Sequence, residues 1–224
     1  MKAVVLTSGG IDSAVALLSA KRDPGVEFIT ALWVDYGQGN RTRERRAASD
    51  ISRLTYCGGR AAEFVAVDIH ETMRPIWQSK PLLSGQGIPD ARPGDISVDQ
   101  MFVPGRNTVL LSLGLALAQS IDARLLVLGI HGGDYANFMD CRPDWAREAA
   151  ALCALHGVLL NTPLLHLSKR EVVELGASLK LPFNLTWSCY RGGPVHCGAC
   201  PACLSRKDAF EEAGILDPLL FVQR

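Results

Sequence analysis

The chain has no excess of charge of either sign: Lys plus Arg (23) equals Asp plus Glu (23) over 224 residues. A molecule balanced in this way makes no long-range field that draws it to a polyanion, so nucleic acid is not the default partner. Long apolar runs are missing too. The longest, near residues 109 to 118, is broken by Ser112 and is too short to span a bilayer, so no membrane partner is expected. The opening MKAVVLTSGG has neither the apolar core nor the small-residue cleavage site of a secretory signal, and a soluble, cytoplasmic protein is expected. There is no internal repeat and no low-complexity linker.

What is present is enough apolar material, 48% of residues, to fill the core of one ample domain. Short β-prone runs recur at Ala3–Leu6, Phe28–Val34, Phe64–Val67, Leu125–Ile130 and Val158–Leu160, separated by segments with helical periodicity. That alternation predicts parallel strands joined by crossover helices. Ile11, Val15 and Leu18 form one stripe of a first helix, with Ala14 and Leu17 beside it. The stretch from Thr108 to Ile121 is apolar nearly all round and predicts a central, deeply buried helix. Ser168 and Glu171 make a capping box, with Leu167 stapling to Val172 across it. Residues 73 to 105 hold five prolines and four glycines, and predict a long irregular excursion: a lid, a binding loop or a disordered segment.

Thr7-Ser8-Gly9-Gly10-Ile11-Asp12-Ser13 follows the first strand-like run and precedes the first helix. A strand-to-helix turn exposes backbone N–H groups at the positive end of a helix dipole, which favours an anion. Two glycines let the backbone approach phosphate oxygens, and Ser8 and Ser13 add hydroxyl donors. The spacing matches neither G-x-x-x-x-G-K-[ST] nor G-x-G-x-x-G, and a plain tight turn is the competing reading. No lysine stands there to hold a γ-phosphate for transfer. Asp12 suits the N-cap of the helix that follows.

Seven cysteines in a reducing compartment are not a disulfide framework. Cys57, Cys141 and Cys153 are scattered, whereas Cys189, Cys197, Cys200 and Cys203 crowd into C-x7-C-x2-C-x2-C. Four thiolates close a tetrahedral shell around Zn²⁺ and leave no open position, which predicts a structural site. An iron–sulfur cluster uses similar spacing and is the rival. Packed core cysteines do not fit a segment as polar and Gly/Pro-rich as HCGACPACLSRK.

Seven motifs in order then carry a resemblance over essentially the whole chain: TSGGIDS (7–13), WVDYGQ (33–38), VPGRN (103–107), GIHGGDY with MDCRP (129–135, 139–143), LSKREVV (167–173), TWSCY (186–190) and CGACPACLSRKDAF (197–210). The turn resembles the SGGxDS pyrophosphate loop of the ATP-pyrophosphatases, and the set resembles the QueC family of 7-cyano-7-deazaguanine synthases. The chain departs from that family at Asn40, where a histidine is usual, at Glu44, displaced by about one position, and at Phe138 and Met139, where Tyr-Pro is usual.

The resemblance implies a doubly wound parallel α/β sheet of the PP-loop type over 1–184, and a zinc-knuckle segment over 185–224 that is either separate or part of one compact domain. It implies adenylation of 7-carboxy-7-deazaguanine by ATP with Mg²⁺, attack by free ammonia to give the amide, and a second activation that dehydrates the amide to the nitrile. Asp12, Arg106 and Lys169 are the candidate catalytic residues, and Thr7 to Ser13 with Gly105 and Asn107 the candidate ATP-binding set. Tyr36, Gln38, Asp134, Asp140 and Arg142 are candidates for the substrate, the two acids for the donor edge of the base. Arg106 suits a phosphate or the substrate carboxylate, with a surface ion pair as the competing role. Lys169, a cation in the first turn of a helix, sits against the usual preference there and hints at an anion, though solvation is simpler. Trp187 stacks on a base or covers the knuckle, and the run Arg41, Arg43, Arg45, Arg46 is a guiding patch or a solvated helix face. A homodimer is expected, because a metal-stapled tail in such folds often lies at a subunit interface. The alternatives are a ligase that stops at the amide or joins the acid to another amine such as a protein's, a tRNA-thiolating enzyme with an iron–sulfur cluster, and a non-enzymatic zinc-knuckle binding module.

Overall fold

The structure, a computed structural model, describes residues 1–77, 80–91, 101–134 and 138–219, the side chain of residue 134 excepted. Its centre is a parallel sheet of β1 (Lys2–Leu6), β2 (Phe28–Asp35), β5 (Glu63–Asp68), β6 (Leu125–Val127) and β7 (Leu159–Asn161), in the order β5-β2-β1-β6-β7. Every neighbouring pair is parallel; Val4, for example, registers with Thr30 on one side and Leu126 on the other. Two short strands, β3 (Tyr56–Cys57) and β4 (Arg60–Ala61), form a separate antiparallel hairpin.

The continuous apolar run of β1 follows from this position. Ala3, Val4 and Val5 are all fully buried, because helices cover both faces and neither alternate set of side chains meets water. On one face α1 (Ile11–Arg22) and α2 (Arg41–Leu54) pack with α7 (Lys169–Ser178) and α8 (Pro201–Glu212) around Val5, Val15, Leu17, Ile51, Val172 and Phe210. On the other, α5 (Arg106–Ser120) and α6 (Pro143–Leu155) close over Val4, Leu32, Leu126 and Leu128. The cysteine-bearing tail shares the first of these cores through Ala209 and Phe210. Among the described residues no helix is long and apolar enough to cross a membrane.

Two expectations need correction. The helix predicted from Thr108 begins at Arg106, and although its sequence is apolar almost throughout, it buries one stripe, Asn107, Leu111, Gly114, Leu115 and Ala118, while Thr108, Ser112 and Ala116 face outward. A helix lying on a sheet needs only one face, and composition alone does not say which. The excursion after residue 73 is not irregular throughout: α3 (His70–Trp77) runs through Pro75, and a single turn, α4 (Pro81–Ser84), follows. Trp77 anchors this part, buried and donating its indole N–H to Pro104 O at 2.8 Å. Residues 78–79 and 92–100 of the excursion lie outside the described residues. The capping box of α7 is present with both reciprocal bonds: Glu171 N to Ser168 Oγ at 3.3 Å and Ser168 N to Glu171 Oε2 at 2.7 Å.

Candidate active site at the carboxyl edge of the sheet

The glycine turn leaves β1 and enters α1 at the topological switch between β1 and β6, where open α/β sheets form their binding crevice. Gly9 has φ +81°, and a Cβ there would meet Glu44 O at 2.6 Å and the Ala48 backbone N at 2.8 Å, so both the left-handed backbone and the approach of α2 require glycine. A Cβ at Gly129, just past β6, would meet the Asp12 carbonyl oxygen at 2.8 Å. The serine hydroxyls support the loop: Ser13 Oγ accepts from Ser8 N at 3.1 Å and donates to Gly10 O at 3.1 Å, and Gly10 N donates to Ser8 Oγ at 3.3 Å. The N-cap of α1 is Gly10 without a side-chain cap, so the first-turn N–H groups are left to an anion.

Asp12 is therefore not the N-cap. It stands in the first turn, and its two oxygens accept from Lys169 Nζ at 2.5 and 2.6 Å. Lys169 departs from the usual first-turn preference because it serves a different helix from its own. His131 Nε2 is 3.7 Å from Asp12 Oδ2, and His131 Nδ1 accepts from Gly133 N at 3.1 Å, which leaves the ring's remaining proton on the Asp12 side. Burial opposes ionisation of Asp12, but the Lys169 ammonium and then His131 outweigh it and hold the carboxyl below its ordinary range.

The facing wall is built by the end of β2 and the start of α2. Gln38, buried, accepts from Tyr36 N at 2.9 Å and donates to Val34 O at 3.1 Å and Glu44 Oε2 at 3.0 Å. Asn40, also buried, donates to Glu44 Oε1 at 3.2 Å and Cys189 O at 3.1 Å. Burial pushes Glu44 up to about 7, although the Gln38 and Asn40 amides favour its charge. Burial likewise pushes Tyr36 up to about 12, partly offset by Arg106, whose guanidinium lies 5.9 Å from the Tyr36 ring centroid. Arg106 stays firmly cationic: burial works against its charge, and Tyr36, Tyr190 and Asp140 more than restore it. Asn107 N donates to Asp140 Oδ2 at 3.1 Å and its side chain to Asp140 O at 3.1 Å, so Asp140 ties α5 to the loop after β6.

The four sulfurs of Cys189, Cys197, Cys200 and Cys203 lie within 4.8 Å of one another, three of them on fully buried residues. Cys200 N donates to Cys197 Sγ at 3.3 Å and Cys197 N to Cys189 Sγ at 3.5 Å, backbone support of the kind a thiolate metal site uses. With protons alone, hydrogen bonds from Cys200 and Cys203 drive Cys189 toward thiolate and raise the other two. Such a cluster fits a cation. His196 stays out of it: its Nε2 accepts from Ser188 N at 3.0 Å, and burial, then Arg206, pushes its value down to about 4. Trp187 bridges the two sites, donating its backbone N–H to Gly9 O at 2.8 Å and its indole N–H to Cys189 O at 2.7 Å, with its ring on His196.

One cavity of about 330 Å³ collects most of these residues. Of the expected set, Thr7, Ser8, Gly10, Ile11, Asp12, Ser13, Tyr36, Gln38, Arg106, Asn107 and Lys169 line it. Gly9 lies behind the lining against α2, Gly105 is the N-cap of α5, Asp140 is buried against Asn107, and Arg142 is exposed at the N-cap of α6. The side chain of Asp134 lies outside the described residues. Glu44, His131, Ser188, Tyr190 and Arg206 also line the cavity and were not assigned to it from sequence. From sequence Glu44 stood out as an acid among arginines and as a departure from the family pattern: Arg41, Arg45 and Arg46 are exposed as a solvated face, and Glu44 turns inward from the same helix.

The family model for "Queuosine biosynthesis protein QueC" matches residues 2–214. A 7-cyano-7-deazaguanine synthase from a Nostoc species is 36% identical over 231 residues, covering 98% of this chain and 96% of the relative. Another from a Synechococcus species is 38% identical over 223 residues, covering 94% and 95%. NMN synthetase from Francisella tularensis superposes with a TM-score of 0.53 at 17% identity, covering 96% of this chain and 77% of that one, and so shares the fold. A phosphate-type turn, a cavity at the sheet's carboxyl edge and a four-cysteine knuckle thus stand in a chain whose sequence, from end to end, belongs to the QueC family.

Proposed function

We propose that the chain converts 7-carboxy-7-deazaguanine and ammonia to 7-cyano-7-deazaguanine at the expense of ATP. The observation that carries this reading is the single cavity in which an uncapped helix N-terminus, an ion-paired aspartate and a buried guanidinium meet, in a chain related end to end to synthases of that name. A carboxylate is a poor electrophile, and transfer of AMP to its oxygen, with release of pyrophosphate, turns that oxygen into a leaving group. Ammonia then adds to the acyl carbon, AMP departs, and a proton is lost to leave the amide. A second adenylation, on the amide oxygen, followed by loss of AMP and the remaining protons, gives the nitrile.

The protein's part is positioning and charge stabilisation. The turn 8–13 holds the departing pyrophosphate through backbone N–H groups, and Lys169 keeps Asp12 ionised beside it. Asp12 is the residue to hold Mg²⁺, which when bound neutralises phosphate charge. Arg106, a fixed cation against Tyr36, is placed for the substrate carboxylate or the α-phosphate. The four cysteines would hold a structural Zn²⁺, coupling the knuckle through Trp187 to the back of the turn. The readings that stop at the amide, join the acid to another amine or thiolate tRNA draw no support from the relatives. Incubation with the acid, ATP, Mg²⁺ and ammonium tests the assignment: mass spectrometry is expected to show the nitrile with AMP and pyrophosphate, and metal analysis one zinc per chain. Amide that persists after ATP is renewed sinks nitrile synthesis, and a brown, iron-containing protein sinks the zinc assignment.

A further inference from the structure

Among the described residues, two carboxylates line the cavity, Asp12 and Glu44, and they are not equivalent. Asp12 is committed to Lys169 through both oxygens. Glu44 feels the charge of Arg106 but forms no ion pair with it among the described residues. Each Glu44 oxygen takes one amide proton, from Gln38 and from Asn40, and keeps a lone pair. Gln38 has no donor left, since its nitrogen serves both Val34 O and Glu44. Asn40 uses its own nitrogen on Glu44 and Cys189, so neither amide offers the cavity a free donor. The two amides therefore fix the carboxylate's orientation and leave that wall an acceptor that calls for paired N–H donors.

We propose that Glu44 selects the base, its carboxylate receiving the ring N–H and the exocyclic amino N–H on the guanine-like edge of the acid substrate. The inference rests on the deazaguanine reading above and moves base recognition from Asp134 and Asp140 to α2. Asp140 is poorly placed for that task, because it is buried against the Asn107 backbone and is absent from the cavity lining. Asn40 and Glu44 are hydrogen-bonded to each other, which holds the carboxylate against its wall.

The test compares 7-carboxy-7-deazaguanine with the analogue lacking the 2-amino group, in wild type, Glu44→Gln and Glu44→Ala, by kcat/KM and by calorimetric binding. Wild type is expected to lose roughly 10- to 100-fold on the analogue, the cost of leaving a charged acceptor one donor short. Both variants are expected to treat the two acids alike, within about threefold. A variant weakened equally on both acids, with discrimination intact, overturns the inference, as does a defect that appears only in the KM for ammonium. If wild type turns over neither acid, the proposed activity fails, and binding then decides: equal wild-type affinity for both acids overturns the role of Glu44, whereas retained discrimination supports it. Should either variant fail to fold, the wild-type comparison of the two acids still stands.

Discussion

The two walls of the cavity carry one carboxylate each and treat it in opposite ways. On the α1 and α7 side, Asp12 is neutralised by Lys169 and held ionised. On the β2 and α2 side, the hydrogen-bond partners of Glu44 among the described residues are neutral amides, and burial pushes it up to about 7. The acid of the first wall has its charge balanced by Lys169 before any ligand arrives. The second is incomplete, and the energy it lacks is available to a ligand that brings donors.

Gly9 joins the walls, so its substitution has the largest expected effect on this contrast. In Gly9→Ala the new Cβ meets the α2 backbone at 2.6 to 2.8 Å on a backbone of positive φ. Strain and overpacking together predict a loss of roughly 2–5 kcal/mol, checked by urea unfolding. Asp12→Asn strips the first wall of its balance and leaves the Lys169 ammonium without its partner. ATP-dependent AMP release is expected to fall about 100-fold, roughly 2.7 kcal/mol of barrier, with little change in the discrimination between the two acids.

Glu44→Gln acts on the second wall through pH. The folded chain retains the Glu44 proton up to about 7 while the unfolded chain releases it near 4.5, so between those values the unfolded state binds fewer protons and stability falls as pH rises. Wild type is expected to lose roughly 1–2 kcal/mol across that window that the variant does not, less than the full linkage value because Glu44 opens onto the cavity. Unfolding midpoints of the two chains at about pH 5 and pH 8 read the difference directly; parallel curves for wild type and variant exclude a raised value at Glu44. The smallest effect is expected of Ser168→Ala, which removes the cap of the helix bearing Lys169 at a cost of about 1 kcal/mol, with AMP release nearly unchanged because Asp12 still anchors the lysine.

The legible parts of the molecule were those that local chemistry dictates. The five strands, the capping box and the cysteine cluster lie in the segments the sequence marked, although the run Leu125–Ile130 is strand only to Val127, because strand periodicity, a reciprocal cap and ligand spacing each act over a few residues. Arg106 and Asn107 were expected in a loop and lie in the first turn of α5, since Gly105 in a left-handed conformation already caps the helix there. The Asp12–Lys169 pair spans 157 positions, and its one local trace was a cation in the first turn of a helix. Lys169 seemed out of place on its own helix because its reason lay on another.

The sequence by itself determined the architecture, the anion-seeking turn and a site for a thiophilic metal, since each follows from backbone geometry or side-chain type at short range. Only the tertiary structure decided which acid in the cavity is compensated and which is not. Compensation is a matter of distance in space: Lys169 reaches Asp12 across the sheet edge, while the arginines beside Glu44 on α2 either turn to solvent, as Arg41, Arg45 and Arg46 do, or lie over Trp187, as Arg43 does, and leave its carboxylate to the cavity.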